Sequence, residues 1–287
     1  MPRHIACLSY DFDTWSGFAA RGMMTPTPIS RGEFGVVGAG RILDLLASRG
    51  IKGSWYIPGV VIETYPEACE RVVAGGHEIG HHGWSHIPPA ELPPQQEAEE
   101  FARAVESIRR LTGQGPAGYR SPAWDLSAQS IDLMIQHGCR YDSSMMGHDC
   151  EPYFARRSDK VAVDAPLAFG ETTDLVEVPI SWSLDDHPHF EFFRTAAGIM
   201  PGLANADAVL ANWLADFEYM CRTTEWGVLV YTFHPYVSGR GHRMLMMEKL
   251  IDGLGRMGAD FLTLDQVQQE FRARQGGQAA SPSPLPR

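Results

Sequence analysis

No run in this 287-residue chain approaches the 18 consecutive apolar residues that mark a membrane-spanning helix, so no span is expected. Positive charge is short as well: 24 Lys and Arg stand against 35 Asp and Glu, a formal net charge of −11. A nucleic-acid-binding domain shows a basic patch, and an anionic lipid surface attracts basic clusters. The balance here argues against both partners. Cysteine is sparse and scattered. Cys7, Cys69, Cys139, Cys150 and Cys221 include no CxxC pair, and an odd, unclustered set makes a poor disulfide framework. Reduced thiols in a cytoplasmic protein are the expectation. The first residues hold too short an apolar run for a secretory signal, broken at Asp11. Internal repeats and strong linkers are missing. One domain over residues 1–274 is expected, followed by a disordered tail, 275–287, of Gly, Gln, Ala, Ser and Pro.

What is present is ordinary globular composition, 44% hydrophobic and 21% charged. Glycine (29) and proline (20) together exceed the usual share of about 12%, so loops on a scaffold are expected to carry sites. Apolar runs at Ile5–Tyr10, Ser54–Ile57, His77–Gly80, Ala117–Tyr119, Val176–Ile180, Val228–Phe233 and Phe261–Leu264 read as strands. Between them lie helical patterns. The clearest is Gln95–Leu111, where Ala98, Phe101, Ala102, Val105, Ile108 and Leu111 recur at spacings of three and four. Others are Gly35–Ser48, Tyr65–Ala74, a helix capped by Ser127 and running to Gln136, Ala208–Met220, Met244–Leu254 and Asp265–Arg272. The stretch holding Pro26 and Pro28 reads as a polar loop. Alternating strands and helices imply an α/β fold with a mainly parallel sheet. Seven or eight units in this length favour a (β/α)7–8 barrel over an open sheet.

Two motifs mislead. His77-Glu78-Ile79-Gly80-His81 matches H-E-x-x-H, but that zinc-protease chemistry needs a helix to put both histidines on one face. Gly75, Gly76, Gly80 and Gly83 surround the motif and oppose a helix. Gly35, Gly38 and Gly40 resemble a nucleotide loop, yet no strand precedes them; glycines for close helix packing read better.

The stronger signal is His82-Gly83-Trp84-Ser85-His86. His82 emerges just past a strand end, and Gly83 lets the chain turn so that His86 can approach it. Two imidazoles and one carboxylate suit a divalent metal with an open position for water. Asp13 or Asp11, after the first strand, supplies the carboxylate. Arg120 and His234 also follow buried strands, and barrel active sites sit at strand C-terminal ends. Each residue alone has a bland explanation as a turn former, solvated cation or core histidine. Their convergence on one face is harder to explain that way.

Leu8-Ser9-Tyr10-Asp11-Phe12-Asp13, Gly76 through His86, Tyr119-Arg120-Ser121-Pro122 and Tyr231-Thr232-Phe233-His234-Pro235 resemble the ordered motifs of the NodB-type polysaccharide deacetylases (carbohydrate esterase family four), over about Ile5 to Leu264. The resemblance implies a distorted barrel of the NodB type and metal-dependent hydrolysis of a non-peptide C–N bond. There are departures. Phe12 separates the two aspartates, His81 stands where the family usually has Asn, and Trp182-Ser183-Leu184-Asp185-Asp186 only approximates the fourth motif. With Asp11-Phe12-Asp13-Thr14-Trp15, Ser30 through Gly35 and Tyr141-Asp142-Ser143-Ser144, these look like an intracellular branch that includes cyclic imide hydrolases and allantoinases and is typically tetrameric.

The resemblance assigns Asp13, His82 and His86 to a divalent ion, expected to be zinc, Asp11 as base, Arg120 as its orienting cation and His234 as acid to the leaving nitrogen. A small cyclic imide opening to a half-amide is the expected substrate. N-deacetylation of acetamido sugars and an allantoinase-like reaction are the alternatives. Glu33 is placed to accept a ring N–H, and Trp84 and Trp124, with Trp15 and Phe34, to shape an apolar pocket; core or subunit contact explains these aromatics equally well. Asp185 and Asp186 read as supporting groups or a loop acid pair.

Overall fold

The computed structural model describes residues 2–195, 198–200 and 202–277. Thirteen strands occur among them. They are β1 (Arg3–Asp11), β2 (Ser54–Ile57), β3 (Glu78–His81), β4 (Gly118–Tyr119), β5 (Tyr141–Asp142), β6 (Tyr153–Arg157), β7 (Lys160–Ala162), β8 (Ala165–Ala168), β9 (Glu171–Glu177), β10 (Phe193–Thr195), β11 (Gly198–Met200), β12 (Trp226–Phe233) and β13 (Asp260–Phe261). The main sheet runs β12-β1-β2-β3-β4-β5-β9-β6, with β13 also paired to β1. Every neighbour from β12 to β9 is parallel, and only β6 is antiparallel. The sheet is a curled half-barrel, as the distorted-barrel reading anticipates. A single parallel bridge, Asp185 to Thr232, connects the chain after β9 to β12.

Strand alternation decides what the concave face receives. On β1, Ala6, Leu8 and Tyr10, and Phe12 just past its end, pack outward with the helices. Ile5 and Cys7 pack inward with Tyr56, Tyr141, Val176, Val228 and Val230. Because side chains alternate along a strand, Ser9 and Asp11 extend the inward row. The same parity carries His82 past β3, Arg120 past β4 and His234 past β12 to the inner side. The inner face is apolar at its base and polar at its C-terminal rim.

The stretch around Pro26 and Pro28 corrects the loop reading. One helix spans Pro26–Arg49. Proline at the first helical position loses no hydrogen bond, so Pro26 starts the helix rather than breaking it. Of the glycines expected to pack, Gly38 does so, whereas a Cβ on Gly40 would meet only the tip of the Arg71 side chain. A Cβ on Gly32 would meet Thr14 O at 2.4 Å, and one on Gly38 would meet Pro235 O at 2.0 Å. The helix therefore lies directly on the segments after β1 and β12.

Two further differences concern the ends of elements. The expected strand Val176–Ile180 overlaps β9 only at its end, although Val178 N still donates to Asp142 O at 2.9 Å. The final helix runs Leu264–Gly277, so residues 275–277 are helical rather than the start of a disordered tail; residues 278–287 lie outside the described residues. Among the described helices, none is long and apolar enough to cross a membrane. All five cysteines are free.

Candidate active site

Asp13, His82 and His86 converge. His82 Nε2 lies 3.3 Å from Asp13 Oδ1, and His86 Nε2 lies 3.2 Å from Asp13 Oδ2. All three side chains are buried. The turn that brings His86 back uses Gly83 at φ +68° and His86 itself at φ +65°. Thr14, next to Asp13, has φ +49°, and Ala123 and Trp124, beyond Arg120, have φ +53° and +56°. Left-handed backbone at non-glycine residues costs energy and gathers at functional sites. Here it flanks three of the four site loops.

Asp11 sits beside this trio, its Oδ2 4.0 Å from His82 Nε2. Its Oδ1 accepts from Arg120 Nη1 at 2.9 Å. Arg120 is fully buried and spends its other donors on Ser9 Oγ, Ser143 O and Ser143 Oγ. Its carbonyl accepts from His82 Nδ1 at 2.7 Å. Arg120 thus positions both Asp11 and His82. With Nδ1 donating, a neutral His82 presents the Nε2 lone pair toward Asp13.

His234 closes the opposite side, with Nε2 3.7 Å from Asp13 Oδ2. Its Nδ1 donates to Asp186 Oδ1 at 2.8 Å, and Asp185 Oδ1 is 3.5 Å away. Of the two readings open for Asp185 and Asp186, supporting groups or a loop acid pair, the structure places Asp186 as a support of His234. Asp186 is fully buried and also accepts from the His234 backbone N–H and Ser238 Oγ. Two adjacent acids before a long gap carry no spacing signal; only the Asp185–Thr232 bridge brings them to His234.

Burial and charge oppose each other at Asp13, His82, His86, His234 and Asp185. Burial pushes Asp13 up, but His86 and His82 outweigh it and hold the carboxyl well below its ordinary range. Burial pushes His82 down, but Asp11 and Asp13 leave it raised. At His86 burial wins over Asp13, and the imidazole is lowered. At His234 burial is outweighed by Asp185 and Asp186, which bring it to about 10. Burial pushes Asp185 up, against the pull of His234.

The trio fits a divalent ion. Asp13 Oδ1 is buried without a hydrogen-bond partner, and unpartnered buried polar atoms are costly. The ligand atoms of Asp13, His82 and His86 lie within 4.8 Å of one another. Two imidazoles and a carboxylate are a common donor set for a catalytic zinc, and the His82–Arg120 carbonyl bond is the kind of outer contact that orients a metal-binding histidine.

The other expected site residues divide. Trp124 is at the centre's edge, stacked on Trp182 at 4.1 Å and 5.9 Å from the Arg120 guanidinium. Trp84 is not a pocket wall. It is wedged between Gly59, where a Cβ would stand 2.3 Å from its ring, and Arg103, whose guanidinium lies 3.5 Å from the ring centroid. Gly83, at φ +68°, turns the chain between His82 and Trp84 and sends the tryptophan away from His82. Glu33 is exposed on the helix Pro26–Arg49, opposite the Gly32–Gly35 contact face. It is not brought to the centre, and neighbouring Phe34 lies under Arg240 and Arg41.

His77 and His81 are absorbed structurally. Gly53 N donates to His77 Nδ1, while His81 Nε2 donates to Phe101 O and its Nδ1 accepts from Gly83 N. His81, stacked on Phe101 at 4.1 Å, has both ring nitrogens satisfied.

Known proteins carry the same plan. The polysaccharide deacetylase family model matches residues 37–141. A peptidoglycan deacetylase of Helicobacter pylori is 34% identical over 92% of this chain and 94% of its own. A solved structure of polysaccharide-deacetylase type from Mycobacterium smegmatis is 27% identical, covers 100% of this chain and 94% of that one, and superposes with a TM-score of 0.81. An allantoinase structure, 18% identical over 95% of this chain and 92% of its own, shares the fold with a TM-score of 0.77. By likeness along nearly its whole length, this chain belongs to the polysaccharide deacetylase family and is a hydrolase of non-peptide C–N bonds.

Proposed function

We propose that this protein is a metal-dependent N-deacetylase acting on acetamido sugars of the peptidoglycan type. The observation that carries the chemistry is the convergence of Asp13, His82 and His86 beside an Asp11 held by Arg120. The substrate class is supported by the Helicobacter pylori relative.

Asp13, His82 and His86 would hold the ion, and zinc suits their donor set. A bound divalent ion lowers the pKa of water toward ~7 and polarises a carbonyl. The chain's own residues do the rest. Arg120 occupies Asp11 Oδ1, which leaves Oδ2, on the His82 side, to take a proton from the attacking water. His234 lies opposite. Its Nδ1 proton is committed to Asp186, so the Nε2 proton is the one available to the departing nitrogen, and the raised His234 keeps that proton at neutral pH.

A second reading keeps this chemistry and changes the substrate to small cyclic imides. It is favoured by enclosure. Asp11, Asp13, His82, His86, Arg120 and His234 are all buried, and the Trp124–Trp182 stack stands beside them. A long polymer needs an open groove.

The test is one assay in two arms. Zinc-loaded and chelator-treated protein is given acetamido sugars and peptidoglycan fragments, with acetate release measured. The same samples are given succinimide, glutarimide and hydantoin, with ring opening followed in the ultraviolet. Chelator-sensitive acetate release supports the deacetylase. Ring opening without acetate release moves the substrate to imides. Activity in neither arm, with one metal per chain, overturns both. Five free thiols agree with a reducing compartment, and the cytoplasm is the proposed location.

A further inference from the structure

The short helix Ser16–Ala20 carries the chain past the metal-binding trio and ends at Arg21. Arg21 Nη1 donates back to Gly17 O at 2.6 Å, which folds the guanidinium over the start of the helix. A methyl group on Gly17 would stand 3.4 Å from Arg21 Nη1, 3.6 Å from His86 Cε1 and 3.7 Å from Asp13 Cβ. A cation, an imidazole and a carboxylate thus border one gap, and the absence of a side chain at Gly17 keeps it clear.

Arg21 differs from the paired cations Arg120, Arg31 and His234. Arg120 is matched by Asp11, Arg31 by Glu191 and His234 by Asp186. Among the described residues Arg21 has no carboxylate partner; its contacts are the Gly17 carbonyl and the Phe193 ring, 5.5 Å from the guanidinium carbon. The Phe193 ring also borders His187, which supplies a second observation. The His187 ring is 5.5 Å from that of Phe193 and 5.1 Å from that of His234. Its Nε2 is buried with no hydrogen-bond partner. A free guanidinium and an orphaned imidazole nitrogen therefore flank one aromatic ring at the edge of the catalytic cluster. A guanidinium pairs well with a carboxylate, and a buried unpartnered nitrogen gains from any polar group that reaches it.

We propose that Arg21 and His187 form an anion subsite beside the Asp13–His82–His86 cluster, and that the preferred substrate carries a carboxylate close to the amide that is cleaved. The proposal rests on the amide-hydrolase reading above and narrows its substrate.

The test separates binding from turnover. Zinc-loaded Asp11→Asn protein is titrated with N-acetylglycine and with N-acetylglycinamide, which differ in the carboxylate alone. A preference of about tenfold or more for N-acetylglycine is expected. It should collapse in Asp11→Asn/Arg21→Gln and return in part with Arg21→Lys. In parallel, kcat/KM for N-acetylmuramic acid relative to N-acetylglucosamine should fall about tenfold in Arg21→Gln. No carboxylate preference, undetectable binding of N-acetylglycine, or an equal loss on both members of a pair overturns the subsite. Failure of turnover with the binding preference intact would overturn the hydrolase reading and leave the subsite standing.

Discussion

Asp186 grips His234 twice, accepting the Nδ1 proton at 2.8 Å with one oxygen and the backbone N–H at 3.0 Å with the other. The contact fixes both the ring's tautomer and the position of its strand end. Asp186→Asn should disturb the tautomer while keeping the shape, because an amide can also donate to Nδ1. A fall in kcat of about 10² or more is expected. Asp185 and Asp186 together outweigh burial in raising His234 to about 10, so the alkaline limb of the pH–rate profile should move toward neutral. An unshifted limb in a folded, metal-loaded variant would remove His234 as the acid.

Asp11 and His86 are predicted to fail differently. Asp11→Asn keeps the shape beside Arg120 and leaves all three metal-binding side chains in place. One zinc per chain should remain while turnover drops by about 10² to 10⁴. His86→Ala removes one of three protein ligands, so metal content and activity should fall together, with the helical circular dichroism retained. Equal metal loss in both variants, or normal turnover in either, would contradict the division between base and ligand.

Some of this was legible in the sequence because it is local. His82 and His86 are separated by a Gly-containing turn, and Asp11 and Asp13 end a strand whose alternation can be read directly. The parallel order follows from the alternation of strands and helices. Other features depend on contacts distant along the chain. Asp186 reaches His234 across 48 residues. Trp84 is only two residues from His82 yet faces the other way, because Gly83 at φ +68° turns the chain between them. Glu33 was misplaced because the helix around it starts earlier than its apolar pattern; the early start puts Gly32, not Glu33, against Thr14.

Behind the sheet, Asp142 and Glu177 are register partners on β5 and β9, both buried. Asp142 Oδ2 and Glu177 Oε2 have no other hydrogen-bond partner, an arrangement that calls for a shared proton. Burial raises Asp142 to about 6 and Glu177 well above its ordinary range. An acid raised on folding binds protons more tightly in the native state. Its contribution is therefore full below the unfolded value of ~4 and declines as pH rises through about 6. Glu177→Gln supplies a permanent donor to Asp142 and still accepts from Ser144 N and Met145 N. Relative to the parent, the variant should gain about 2 kcal/mol between pH 4 and pH 7. Denaturant melts that run parallel across that range would rule out the shared proton.

The helix Pro26–Arg49 provides the last prediction, because two of its glycines have opposite surroundings. A Cβ on Gly38 would meet Pro235 O at 2.0 Å, Pro235 C at 2.8 Å and Gly239 Cα at 3.2 Å. These are backbone atoms of the segment 235–239 that follows His234, and they cannot swing aside as a side-chain tip can. Gly38→Ala should therefore cost about 1–3 kcal/mol through overpacking, even though alanine is the better helix former. It should also lower kcat, since the helix can relieve the clash only by pushing the His234 segment. Two residues along, a Cβ on Gly40 would first meet Arg71 Nη1 at 3.3 Å, the far end of a flexible and largely exposed side chain. There the propensity gain of up to about 1 kcal/mol should dominate, and Gly40→Ala should be neutral or stabilising with activity retained. Thermal melts and kcat for the two variants measure the difference directly. If Gly38→Ala proved as harmless as Gly40→Ala, close packing of this helix on the His234 loop would not be what holds that edge of the site in place.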